Sequence, residues 1–137
     1  MSLTTTEQQY LETQVLGRLA TARADGSLQN NPVGFSYDET TGTINITGRN
    51  LGATQKFRNV ASTGMVALVV DDIVSRDPWA VRGVEVRGRA EARRDQEPPN
   101  PYASREVIRI HPHRVISWGL DPANPGMNSR EVGGDRG

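Results

Sequence analysis

Between Val84 and Arg93 the chain reads VEVRGRAEAR, which sets Val84, Val86, Gly88 and Ala90 against Glu85, Arg87, Arg89 and Glu91. Only an extended strand, whose side chains point to opposite faces with a period of two, gives such a segment one buried and one charged side. Opposite charges at every second position suit ion pairs on a wet or partner-facing sheet. The run before it, MVALVVDD at 65–72, is continuously apolar until its acidic end, as expected of a strand covered on both faces. The dipeptide Asp71-Asp72 is no carboxylate dyad, because neighbouring strand residues point apart.

Upstream, LGRLATARADGSLQNNPVGFSYDETTGTINIT (16–47) reads as three antiparallel strands in a meander. Asp25-Gly26 suits the first hairpin, and Val33, Phe35 and Tyr37 share a face in the second strand. Thr4 and Glu7 have the spacing of a capping box, so a short helix opens the chain. From Leu51 the period changes: Leu51, Thr54, Phe57 and Ala61 fall on one side of a second helix that Gly64 can stop. DQEPPNPY (95–102) is a loop. EVIRIHPHRVISWG (106–119) reads as a last strand or a strand pair broken at Pro112, with Trp118 as a plug for one end. Six short strands leave edges that closure removes, so a mainly β, small antiparallel barrel with two or more short helices is expected. It would form one domain over residues 1–120, with 121–137 a polar, flexible tail.

The 16 Lys and Arg residues balance 16 Asp and Glu, which removes the broad positive field that duplex nucleic acid or an anionic membrane would attract. With no cysteine there is neither a disulfide framework nor thiolate chemistry. The polar start MSLTTTEQQY lacks the apolar run of a signal peptide, and a cytoplasmic protein is expected. Hydrophobic residues are 35% and aromatic residues 5% of the chain, lean enough that a partner copy would help complete burial. His111-Pro112-His113 lacks the third and fourth converging ligands that a tetrahedral metal site needs, so no metal is expected.

Fifteen of the cations are arginine and one is Lys56, in GRNLGATQKFRNV (48–60). A lysine near a helix start, where unpaired N–H groups and the dipole favour anions, suits a phosphate; on local sequence alone a solvated lysine is as good a reading. Taken in order, LGRLATARADGSLQNNPVGFSYDETTGTINITG, KFRNV, GMVALVVDD and PWAVRGVEVRGRAE resemble the split-barrel superfamily of pyridoxamine phosphate oxidase, closest to its branch that uses the deazaflavin coenzyme F-420. The resemblance covers about Leu11 to Trp118. It implies a homodimeric six-stranded split barrel of the FMN-binding type, with the cofactor in a groove between protomers. By position it assigns Asn30 to Val33, with Asn31, Pro32 and Val33 as contacts, to the strand under the ring. It assigns Thr47, Gly48 and Arg49 to the lip that meets the phosphate, Lys56, Arg58 and Asn59 to the phosphate helix, and Trp79 to an aromatic near cofactor or partner.

The function so implied is transfer of a hydride between reduced coenzyme F-420 and a small unsaturated or heteroaromatic substrate, with positioning and electrostatics left to the protein. No nucleophile with a base stands out, and no catalytic residue is assigned; Arg82 or Arg49 could hold a proton-donating water. The alternatives are an FMN-dependent oxidoreductase and a non-catalytic carrier of deazaflavin or haem, with His111 or His113 as axial ligand. Pyridoxamine phosphate oxidases proper carry further basic positions and a C-terminal motif absent here.

Overall fold

The alternation of residues 84–93 is realised as the centre of a long strand. In the computed structural model, which describes residues 2–133, the elements run α1 (Thr5–Glu12), β1 (Leu16–Ala22), β2 (Leu28–Asp38), β3 (Thr43–Thr47), a 3-10 turn (Leu51–Ala53), α2 (Gln55–Ser62), β4 (Met65–Arg76), β5 (Trp79–Arg93), β6 (Val107–Trp118) and β7 (Met127–Glu131). All neighbouring strands are antiparallel, in the order β3-β2-β1-β4-β5-β6-β7. β3 also pairs with β6, Ile44 opposite Ile110 and Ile46 opposite Ile108, so the first six strands close into a ring.

The inner faces of that ring meet in the core. Leu19, Ile44, Ile46, Leu68, Val84, Val86, Ile108, Ile110 and Val115 are almost fully buried. Each helix adds its apolar side: α1 brings Tyr10 and Leu11, α2 brings Phe57 and Val60. Burying aliphatic and aromatic side chains of this size contributes about 1.5–3 kcal/mol each before chain entropy is counted. α1 is fixed by the expected capping box, Thr4 Oγ1 accepting from the Glu7 N–H and Glu7 accepting from the Thr4 N–H. Gly64 ends α2 with a φ of +68°, a left-handed conformation that favours glycine. No helix among the described residues is long and apolar enough to cross a membrane.

Four expectations change. There are seven strands rather than six, because residues 127–131, assigned to the tail, pair with 114–118 of β6. Pro112 does not break β6: it lies beyond the β3 pairing and beside a bulge where β5 register shifts between Arg87 and Gly88, so its missing N–H disrupts no regular ladder. Trp118 is no end plug but lies against Gly83, where an added Cβ would sit 2.6 Å from its ring. The apolar run of β4 is covered on one face only within this chain. Val66, Leu68 and Val70 are buried, whereas Met65 is 58% exposed.

β7 is tied back to the start of the chain. Arg130 forks onto both Glu7 carboxylate oxygens at 2.6 and 2.8 Å and also donates to the Ser2 carbonyl. Burial alone would raise the Glu7 pKa, but Arg130 and the Thr4 N–H together hold it below the ordinary 4.5. Arg130→Ala should cost about 2–3 kcal/mol in urea unfolding, the low side for a broken buried pair because Arg130 is itself a third exposed. Since the folded pKa is depressed, the pair's contribution is complete above the unfolded value and disappears as pH falls through the folded one. Between pH 5 and 3 the wild-type melting temperature should therefore fall more steeply than that of Glu7→Gln.

Candidate functional site

The sheet has an outer face that the chain leaves bare. Strand register lines up Pro32, Arg18 and Val69 in one row across β2, β1 and β4, and Asn30, Ala20 and Ala67 in the next. Gly34 faces Leu16 and Thr47 in the row on the other side. Apart from Leu16 and Arg18 these are short or flat side chains, and together they make a shallow surface, a bed rather than a cavity.

Gly34 carries a specific message. It has no positive φ, and a Cβ added to it would meet nothing within 4 Å. Internal packing therefore gives no reason for glycine in a strand interior, where it weakens the strand; close approach by something outside the chain does.

The bed runs toward α2. Thr21 pairs with Gln29 across the hairpin and accepts a hydrogen bond at 3.0 Å from the Asn59 amide on α2. Thr47, opposite Gly34, leads through Gly48 and Arg49 into the 3-10 turn and then the helix start. That lip is braced from behind: Ser104 donates its N–H and its hydroxyl to the Gly48 carbonyl, and its Oγ accepts from Leu51 N–H. Arg49 lies over the Tyr102 ring at 5.6 Å from the centroid. At α2 the Thr54 side chain accepts from the Phe57 N–H. The N–H groups of Gln55 and Lys56 make no hydrogen bond among the described residues, and neither does the half-buried Lys56 ammonium. An uncommitted cation beside two open backbone donors is what a phosphate requires, so the residues present fit a phosphate-bearing flat cofactor.

The remaining expected contacts are distributed differently. Asn31 and Val33 point inward with Leu19 and Phe35, so of the three assigned β2 contacts only Pro32 shows its side chain to the bed, beside Asn30. Asn59 is 2% exposed, with its amide given to Thr21 and its carbonyl accepting from Gln55. Arg58 forks onto the Ala53 carbonyl and the Gln55 side chain. Trp79 is 66% exposed on the β4–β5 hairpin, ten residues along β5 from the end that packs near α2, so one chain does not bring it to Lys56. Arg82 is committed to Asp72 through two hydrogen bonds and stacks on Tyr10, whose phenol is pushed up by burial and by the Asp72 carboxylate. Its Nε and Nη2 are held by that carboxylate.

A cavity of about 480 Å³ lies elsewhere, over β3, β5 and β6, lined among others by Arg89, Glu91, His111 and His113. His111 contacts Glu91 there, and that hydrogen bond holds the carboxylate below its ordinary range. No group of three potential metal ligands converges among the described residues. The cavity shares no residue with the bed or the α2 lip.

Residues 3–130 match the family profile of pyridoxamine 5'-phosphate oxidase. The chain belongs to that family. It is 45% identical over 134 residues, 96% of this chain and 94% of the relative, to the 5a,11a-dehydrotetracycline/5a,11a-dehydrooxytetracycline reductase of Streptomyces rimosus subsp. rimosus. Among solved structures it is similar to an F-420 reductase, with a TM-score of 0.62 and 27% identity over 82% of this chain and 98% of the other. It also shares its fold with the HupZ protein of group A Streptococcus, TM-score 0.66 at 18% identity over 85% of this chain and 94% of the other. Like its named relative, this member of the pyridoxamine 5'-phosphate oxidase family is an oxidoreductase.

Gly34, Arg18, Ala20 and Ala67 were not singled out from the sequence. The signal for Gly34 was a glycine between Val33 and Phe35 in a strand-like run. Gly34→Val should leave chemical stability within about 1 kcal/mol, since β-branched residues suit strands and nothing is in its way. Cofactor affinity should nevertheless fall tenfold or more in a fluorescence titration. An unchanged affinity with a stable fold would place the ligand elsewhere.

Proposed function

We propose that this oxidoreductase is a coenzyme F-420-dependent reductase, acting as a homodimeric split barrel with the cofactor in a groove between protomers. Its acceptor would be an electron-poor carbon–carbon double bond in a flat, conjugated substrate of the kind the Streptomyces relative is named for. The observations that carry the reading are the bare outer face around Gly34 and the uncommitted Lys56 ammonium at the start of α2. The bare outer face of β4 supports the dimer, because Met65, Ala67 and Val69, with Ile73 beyond Asp71, leave apolar surface that a second copy would cover.

When bound, the deazaflavin supplies a hydride. The protein's residues bind and orient it. Lys56 and the N–H groups of Gln55 and Lys56 would hold the phosphate, Arg49 would meet the carboxylates of the coenzyme's tail, and the small residues of β1, β2 and β4 would take the ring face-on while excluding water. Arg58, already bonded within α2, adds field rather than contact. Trp79 would reach a cofactor only from the partner copy, as an aromatic near the shared groove.

Parallel fluorescence titrations with coenzyme F-420 and with FMN test the reading. Micromolar or tighter binding of the deazaflavin, with FMN weaker, is expected. Preference for FMN would move the chain to flavin chemistry, and a bound, reduced deazaflavin that reduces no member of a panel of conjugated acceptors would make it a carrier. Lys56→Ala should weaken F-420 binding by roughly 1.5–3 kcal/mol, the loss of a charged hydrogen bond. Sedimentation should report a dimer; a monomer that still binds the coenzyme would break the shared groove.

A further inference from the structure

Where the β3–β6 ladder stops, β6 runs on without a neighbour on that side until β7 begins. The last β3 pairing is Ile44 with Ile110, and β7 joins at Arg114, so residues 111–113 border a gap in the sheet. The cavity of about 480 Å³ lies along that gap, between the β2–β3 turn at 41–43 and residues 89–91 of β5. β6 also carries an extra residue here: Pro112 faces Gly88 and Arg114 faces Arg87, which leaves His113 with no partner on β5. A bulge of this kind re-aims a side chain. Pro112 is buried, His113 is exposed at the cavity, and His111, directly across from Arg89, lines it as well. These are the two histidines of the chain.

The polar groups around the cavity are unevenly spent. Both Glu91 oxygens are taken, Oε1 by Arg93 and Oε2 by His111. The Thr41 and Thr43 hydroxyls bond each other, and Ser2 donates to the Gly42 carbonyl. Among the donors, neither the Arg89 guanidinium nor the His113 ring makes a hydrogen bond or ion pair with any described residue. Arg89 is exposed, and its Nη2 rests beside Gly64, 3.7 Å from where a Cβ would stand, with no bond to keep it from turning to a ligand. Spare donors beside acceptors already in use favour an anion. A volume in the range of small-molecule sites is well beyond what a bare inorganic ion fills. We infer that this cavity is a second ligand site, separate from the bed, that takes a small organic carboxylate. Arg89 forks onto the carboxylate, the His111 and His113 rings flank it, and Ala90 and Pro112 meet the carbon body. No part of this depends on which cofactor the bed holds.

Because both histidines line this cavity, their ring Cε1–H signals in the proton NMR spectrum of the full chain report on it directly. Benzoate added at fixed pH should shift both signals saturably, with a Kd of about a millimolar or tighter. Benzyl alcohol, the same ring without the charge, should shift neither. Arg89→Gln removes an exposed side chain without partners, so the fold should stay intact while benzoate binds at least tenfold more weakly; Arg89→Lys should keep part of the affinity. Lys56→Ala should bind benzoate as the wild type does. The absence of a saturable shift, an equal response to benzyl alcohol, or wild-type affinity in a folded Arg89→Gln variant would overturn the inference. Inorganic phosphate that binds as tightly as benzoate would overturn the organic ligand, and a loss of benzoate binding in Lys56→Ala would overturn the separation from the bed.

Discussion

Everything in this fold depends on the pairing of β3 with β6. Three residue pairs, Ile44 with Ile110, Asn45 with Arg109 and Ile46 with Ile108, turn an open seven-stranded sheet into a ring with one inside. The four isoleucines are completely buried, so the ladder also runs through the core. Without it, the strands at the two ends of the six would expose edges, and α2 would have no enclosed space to fill with Phe57. The same closure determines what lies outside. A ring whose interior is filled by its own side chains leaves little room inside, which favours a ligand site on an outer face or between two molecules.

Much of this was legible in the residues. The alternation at 84–93 became β5 with the expected faces, the meander of 16–47 became β1 to β3, and Thr4 with Glu7 capped α1. The capping of α2 by Thr54 and the 3-10 turn before it were not legible, because the apolar spacing from Leu51 is continuous across both. Pro112 misled for a definable reason. A proline is excluded from regular ladders, but it can sit in a strand where one neighbour has ended and the other has bulged, and neither condition is written in local sequence. β7 was missed because MNSRE has only Met127 as an apolar residue and pairs at an exposed edge, where no alternation is required.

The site was legible as a region and not as a set of side chains. Segment matching located β2, the lip and α2, yet strand alternation decides which residues of a segment look outward. That parity turns Asn31 and Val33 inward and leaves Pro32, Gly34 and, one strand over, Arg18 on the bed. Asn59 shows the same lesson on a helix: three residues after the uncommitted Lys56, it serves the interior by holding Thr21. Free hydrogen-bonding capacity separates these groups more sharply than charge does. Fifteen arginines look alike in the sequence, but most are spent on carboxylates, carbonyls or rings.

The fork from Arg130 to Glu7 joins residues 123 apart, and the ring-closing ladder joins residues more than sixty apart. Both connections set the order in which a growing chain can mature. On the ribosome, α1 emerges with an acid meant for the interior long before Arg130, its cation, is made. β3 likewise waits for β6. Contacts so distant in sequence cannot reward the chain until the later strands are synthesised. The first half of this protein must therefore leave the exit tunnel as an unclosed meander, exposed to chaperones and to copies of itself until the last strands arrive.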